Sequence, residues 1–300
     1  MPAPERYAVI GHPISHSLSP RIHSLFAAQS GRSLLYEAID VSPQELPAMV
    51  RGFFTGRGRG LNVTLPHKQA VMALLDRCSD AARDAGAANT LWRDPDGGLV
   101  GDNTDGLGLV RDLQHNLGVS LAAQRVLLLG AGGAARGVLA PLLALAPREL
   151  VIANRDPARA AALAGQFGPQ VRWCALSALA TAGATGSVGA VGAVGAVGAI
   201  GPGPFDLILN ATAASLSDEL PPLSAALLHA GTVCYDLAYA LRATAFVTWA
   251  RRAGAAAAYD GLGMLVEQAA EAFERWHGVR PDTAAVLASL RADIPVEPAQ

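Results

Sequence analysis

The sequence predicts an α/β protein of two domains, each a sheet layered with helices, the second built on a doubly wound parallel sheet. Three observations predict it. Short β-rich runs alternate with helical runs along most of the chain. The stretch RVLLLGAGGAARGVLAPLLAL followed by ELVIANRDPARAAALAGQFG reads as strand, turn, helix, strand, the unit that builds parallel sheets. Hydrophobic residues make up 51% of the 300 residues and aromatics only 5%, so the core must come mainly from Ala, Val and Leu, as in sheets buried on both faces.

YAVIG (7–11) is a short apolar run closed by Gly11, a strand. SPRIHSLFAAQSG follows as a helix with Ser19 as N-cap, Pro20 at the first helical position and Gly31 as stop. LLYEAIDV and GRGLNVTL read as strands, and PHKQAVMALLD as a helix opened by Pro66. After GDNTDG comes the helix GLGLVRDLQHNLG, then the strand–turn–helix–strand unit. Further strands are expected at VRWCAL, FDLILNAT and TVCYDLAY. The last strong helix, GLGMLVEQAAEAFERWHG, sets Leu262, Leu265, Val266, Ala269, Ala270 and Phe273 at helical spacing. A Val-Gly-Ala repeat at 187–204 reads as a flexible insertion, about 183–204, with no chemical role.

Composition excludes several classes of function. With 23 basic and 25 acidic residues mixed along the chain, no basic stripe exists to neutralise phosphates, so no nucleic acid is expected. Cys78, Cys174 and Cys234 are scattered and odd in number, which makes neither a disulfide framework nor a metal site and fits a reducing cytoplasm. The start, MPAPERYAVIGHP, does not read as a signal peptide. From Trp173 to Phe205 no residue is charged, but the stretch is crowded with Gly and Ala, so no membrane span is expected.

Gly130-Ala131-Gly132-Gly133-Ala134-Ala135 matches G-x-G-x-x-G/A between a strand and a helix. Gly130 permits a tight turn, Gly132 lets backbone approach a pyrophosphate, and Ala135 allows close helix packing, with the helix N-terminus facing the anion. The second domain is therefore expected to be Rossmann-like and to bind a dinucleotide. At the end of the next strand, where NAD-binding chains usually carry an acid, stand Asn154 and Arg155. Arg155 would hold a 2′-phosphate, with Arg159 one helical turn on, so NADP is favoured. Asp156 before Pro157 reads as a helix N-cap; its competing reading is an NAD-selecting acid.

Lys68, in the first turn of the expected helix, conflicts with the helix dipole, and such a conflict points to function. A carboxylate nearby would let it bind or protonate a substrate oxygen, and Asp105 of GDNTDG is the candidate. The competing readings are a solvated lysine and a helix-capping aspartate.

In order, SHSLSP, NVTLPHK, GAANTL, GDNTDG, GAGGAARG, ANRDPAR, NAT, YDLAY and DGLGMLVEQA each resemble a signature of the shikimate dehydrogenase family. The resemblance implies reversible reduction of 3-dehydroshikimate to shikimate by NADPH, in the chorismate pathway to the aromatic amino acids. Lys68 and Asp105 would be the catalytic pair. Ser17, Ser19, Thr64, Asn89, Tyr239 and Gln268 would bind substrate. Gly130, Ala131, Gly132, Gly133, Ala134, Asn154, Arg155, Arg159, Leu237 and Gly261 would bind cofactor, with Asp80 either joining them or capping a helix. It also implies that the chain returns at its end: 1–106 plus 262–300 would form the substrate and catalytic domain and 107–261 the NADP domain, with a cleft between, in a monomer or homodimer. Three departures stand out: Asp156 where many members have Thr, RATAFV without a Pro common after YDLAY, and the Val-Gly-Ala insertion. Two alternatives remain, a quinate/shikimate dehydrogenase with relaxed cofactor use and a non-catalytic NADP-sensing relative.

Overall fold

The computed structural model describes residues 4–180, 203–214, 219–240 and 242–293. The insertion expected about 183–204, apart from Gly203 and Pro204, lies outside the described residues, as does 294–300 of the expected first domain. In chain order the elements are β1 (Glu5–Gly11), α1 (Ser19–Ser30), β2 (Leu34–Asp40), α2 (Leu46–Thr55), β3 (Gly58–Val63), β4 (Arg77–Cys78), α3 (Asp80–Ala85), β5 (Thr90–Arg93), β6 (Leu99–Asp102) and α4 (Asp105–Arg111). They continue with β7 (Arg125–Leu129), α5 (Gly133–Ala144), β8 (Glu149–Asn154), α6 (Pro157–Gly165), β9 (Val171–Ala175), β10 (Leu207–Asn210), β11 (Val233–Asp236), α7 (Ala245–Arg252), β12 (Ala257–Tyr259), α8 (Leu262–His277) and α9 (Thr283–Ala292). They fall into two compact units, Met1–Leu117 with Gly263–Asp293, and Gly118–Leu262.

The first unit is built on a mixed sheet of order β2-β1-β3-β5-β6-β4. β1 pairs parallel with β2 and β3, and β5 runs antiparallel to both β3 and β6. The turn between β5 and β6 is tight because Gly97 takes φ 87° and the Asp94 carboxylate accepts the Gly98 N–H at 2.9 Å. Along β1 the side chains alternate: Ala8 and Ile10 enter one core with Phe53, Leu61 and Leu91, while Tyr7 and Val9 pack with Tyr36 and Trp276 on the other face.

The second unit carries the expected all-parallel sheet, order β12-β11-β10-β7-β8-β9. The chain starts in the middle, winds outward one way through β8 and β9, then returns to wind the other way, which is the doubly wound arrangement. Val126 to Leu129 of β7 are fully buried, as a central strand covered on both faces must be.

Four expectations need correction. The helix expected from Pro66 does not form: residues 64–69 make a loop and a 3-10 turn begins only at Ala70, because the Lys68 carbonyl accepts the Ala88 N–H (2.9 Å) instead of a helical partner. Ser19 is not the N-cap of α1 but its first residue; the Ser17 hydroxyl accepts the Ser19 N–H instead. Asp80 is not the cap of α3 either, because Ser79 accepts the Ala82 N–H and Asp80 lies in the first turn, paired with Arg83. The first unit extends to Leu117 rather than ending at 106, since α4 and the turn after it bond to α8: Arg111 pairs with Glu271 at 2.6 Å, and Asn116 donates to Glu267 at 3.2 Å. Gly31, with φ 62°, ends α1 as expected.

His23 of α1 is 1% exposed and stacks on Tyr36 with ring centroids 4.1 Å apart. Burial pushes its pKa down to about 3, and that of His277 down to about 4. These rings stay neutral in the fold while the unfolded chain takes up their protons near pH 6.5, so stability is lost as pH falls from there toward the folded values. Urea midpoints measured between pH 7 and 4.5 should fall with acidity, and less steeply in His23→Phe. An equal slope in that variant refutes the account.

Candidate active site

Three segments of the first unit meet at one carboxylate, and a fourth reaches one of its donors. Asp105 opens α4, with its backbone N–H bonded to Asn103 Oδ1 at 3.1 Å. Lys68, in the loop after β3, donates from Nζ to Asp105 Oδ2 at 2.6 Å, the side chains being 16% and 6% exposed. Asn89, just before β5, donates from Nδ2 to Asp105 Oδ1 at 2.8 Å. The same amide lies 3.3 Å from Gln268 Oε1 on α8. Both carboxylate oxygens are thus bonded, and the partly exposed ammonium is left able to address a ligand. Such a pair can place a proton donor and hold a substrate hydroxyl.

The remaining residues expected at the substrate are more dispersed. Ser17 and Ser19 sit together at the start of α1, beside Tyr36, whose hydroxyl pKa burial pushes well up, against the opposing influence of the Ser19 side chain. Thr64 follows β3, its N–H on the Ile10 carbonyl at 2.9 Å and its methyl against Gly11. Tyr239 belongs to the second unit, in the loop after β11.

In the second unit the glycine turn has the expected form. Gly130 takes φ 103°, and a Cβ there would stand 2.9 Å from the Ala211 carbonyl oxygen, so only glycine fits. Gly132 caps α5 with no side-chain hydrogen bond, and a Cβ on Gly132 or Gly133 would meet nothing within 4 Å. Ala131 and Ala135 are buried beside them and Ala134 is half-buried. N–H groups without a side-chain cap, on glycines whose Cβ positions are open, fit the pyrophosphate of a dinucleotide. At the end of β8, Asn154 Nδ2 bonds the Asp156 carbonyl at 2.9 Å, and Arg155 is exposed. Asp156 is the N-cap of α6, accepting the Ala158 N–H at 3.0 Å, with Arg159 at 3.8 Å from its other oxygen. Gly261 donates to the Ala238 carbonyl at 2.9 Å, and a Cβ on it would run into the Leu237 carbonyl, so these two segments touch.

Sequence reasoning missed several residues. Asp236 is buried, accepts from Thr244 at 2.6 Å and from the Ala238 N–H at 3.1 Å, and so shapes the loop carrying Leu237 and Tyr239. Asn62, Thr90 and Thr104 surround Asn89. The signal available for Asn62 was a lone amide inside the apolar strand β3. Among the described residues no group of three or more His, Cys, Asp or Glu could hold a metal, and no helix is long and apolar enough to cross a membrane.

Comparisons with known proteins bear on the whole chain. A model of the shikimate dehydrogenase substrate binding domain matches residues 9–91, one of shikimate/quinate 5-dehydrogenase 112–188, and one of the shikimate 5′-dehydrogenase C-terminal domain 261–291. The shikimate dehydrogenase (NADP(+)) of Methylococcus capsulatus is 52% identical over 295 residues, covering 98% of each chain. That of Marinobacter nauticus is 50% identical over 287 residues, 96% of this chain and 98% of its own. Among solved structures, an Ael1 enzyme from Pseudomonas putida superposes with TM-score 0.84 at 46% identity, covering 98% of this chain and all of its own. Shikimate 5-dehydrogenase from Thermus thermophilus, solved with NADP(H) and shikimate, gives 0.80 at 34%, covering 96% and 99%. With half of its residues shared with such relatives from end to end, the chain belongs to the shikimate dehydrogenase family.

Proposed function

We propose that the protein is an NADP-dependent shikimate dehydrogenase that reversibly reduces 3-dehydroshikimate to shikimate, in the cytoplasm and on the route to chorismate and the aromatic amino acids. The observation that carries the reading is the contact of Lys68 Nζ with Asp105 Oδ2 at 2.6 Å, a lysine–carboxylate pair largely withdrawn from water. A chain that only sensed the nucleotide would have no use for it.

NADPH, when bound, supplies the hydride that goes to the carbonyl carbon of the ring. Lys68 meets the negative charge that develops on the carbonyl oxygen and delivers a proton to it. Asp105 holds Lys68 in place and orients a ring hydroxyl. Thr64, Asn89, Gln268 and Tyr239 contact hydroxyls, while Ser17 and Ser19 hold the carboxylate. Gly130, Ala131, Gly132, Gly133 and Ala134 would receive the pyrophosphate at the start of α5, and Asn154, Arg155 and Arg159 the 2′-phosphate. Leu237 and Gly261 would border the nicotinamide.

Lys68→Met should lower kcat at least about 100-fold with a much smaller change in the KM for shikimate, as removal of a proton donor does. Absorbance at the nicotinamide band, with shikimate or quinate each offered with NADP or NAD, measures this. Wild-type turnover in the variant, or wild-type turnover of quinate with NAD alone, is the result that defeats the reading. Arg155→Ala should raise the KM for NADP about ten-fold or more while leaving whatever rate NAD supports unchanged, since only the former carries the phosphate. Equal loss with both cofactors would assign Arg155 a different role.

A further inference from the structure

The catalytic reading requires that Asn89 turn its NH2 end, not its carbonyl, toward Asp105. A carboxamide is nearly symmetric in shape, so its orientation must come from what faces the other end. Two donors do so. The Thr104 backbone N–H reaches Asn89 Oδ1 at 2.9 Å, and the Thr90 hydroxyl reaches it at 2.9 Å. Thr90 is fully buried and directly opposite Asn62 in the antiparallel pairing of β3 with β5. Asn62 in turn donates from Nδ2 to Thr90 Oγ1 at 3.1 Å and accepts the Tyr36 hydroxyl at 2.6 Å. Every donor in the series points the same way, from Tyr36 through Asn62, Thr90 and Asn89 to Asp105.

We propose that Thr90 is a positioning residue for the reaction, its hydroxyl relaying the hydrogen-bond direction from Asn62 to Asn89 and so aiming the Asn89 amide at Asp105. Only a group that accepts and donates at once fits there, because Asn62 presents N–H and Asn89 presents C=O. With a reversed amide, the Asn89 carbonyl would face the carboxylate, and two acceptors would be in contact. Such series of aligned hydrogen bonds reinforce one another in a buried setting. The inference rests on the reading of Asp105 as one of the catalytic pair.

T90V keeps the side-chain shape and removes the hydroxyl, whereas T90S keeps the hydroxyl. T90V should lower kcat about ten-fold, the worth of a net hydrogen bond, with the KM for NADPH unchanged, and T90S should stay within about two-fold of wild type. By NMR of the uncomplexed protein, the Asn89 side-chain amide protons should exchange with solvent about ten-fold faster in T90V than in wild type or T90S. Wild-type kcat and exchange in T90V overturn the proposal, as does equal loss in T90V and T90S, which would mean core packing rather than a donor. Should T90V fail to fold, T90C, a weaker donor, must fall below T90S in both readouts, and equality of the two overturns the proposal. Failure of the catalytic reading is separable: D105N with full turnover would end that reading while amide exchange still reports on Thr90.

Discussion

A carboxylate taken out of water costs several kcal/mol unless donors face its oxygens, and the first unit is organised around one such group. Asp105 is 6% exposed in its side chain, with Lys68 on one oxygen and Asn89 on the other. Those donors come from the loop after β3 and from the residue before β5, while Gln268 approaches from α8, 163 positions after Asp105 in the chain. The two donor segments are tied to their neighbours by backbone bonds, Lys68 carbonyl to Ala88 N–H and Asn89 N–H to Asp102 carbonyl, both at 2.9 Å. The sheet therefore supplies the rigidity and the loops supply the chemistry. The first turn of α4 also suits Asp105, since its negative charge lies at the positive end of the helix.

Bringing α8 to this place needs close approach and registration. Gly108 provides the approach: a Cβ there would stand 2.7 Å from the Gln268 backbone nitrogen. Registration comes from charge. Asp112 lies buried against Gly263, Asn116 bonds both Asp112 and Glu267, and Arg111 of α4 pairs with Glu271 at 2.6 Å. Such pairs add little net stability over an apolar contact, but removing the basic partner strands a buried glutamate, so the bonds between α4 and α8 discriminate between their registers. A shift of one residue along α8 would turn Gln268 away from Asn89.

What could be read from the sequence was local. The Asp156–Pro157 cap, the Gly31 stop and the positive-φ turn at Gly130 each depend on neighbours within a few residues, and all three form. The expected helix at Pro66 failed because its composition is helical while its hydrogen bonds are tertiary, the Lys68 carbonyl going to Ala88. The conflict of a lysine with a helix dipole, which first drew attention to Lys68, therefore does not exist, and its contact with Asp105 rests on different geometry. Thr90 and Asn62 were illegible for a related reason: their partners are set by strand register, with Asn62 opposite Thr90, and register is not written in either strand alone. The early end expected for the first unit has the same origin, for nothing within 105–117 reveals that its charges answer those of α8.

The acid beside the proposed phosphate site can be weighed in the same physical terms. A free carboxylate at the end of β8 would repel a 2′-phosphate and favour the bare ribose hydroxyls of NAD. Asp156 is not free: one oxygen accepts the Ala158 N–H at 3.0 Å, and the other faces Arg159 at 3.8 Å. Its charge is opposed on one side by the positive end of α6 and on the other by a guanidinium. Arg155, exposed one residue earlier, forms no ion pair among the described residues, so its charge has no such counterweight. With Arg155 and Arg159 against Asp156, the excess charge at this corner is therefore positive. That difference, rather than the mere presence or absence of an acid in the motif, is what supports the proposed role of Arg155 at a phosphorylated ribose.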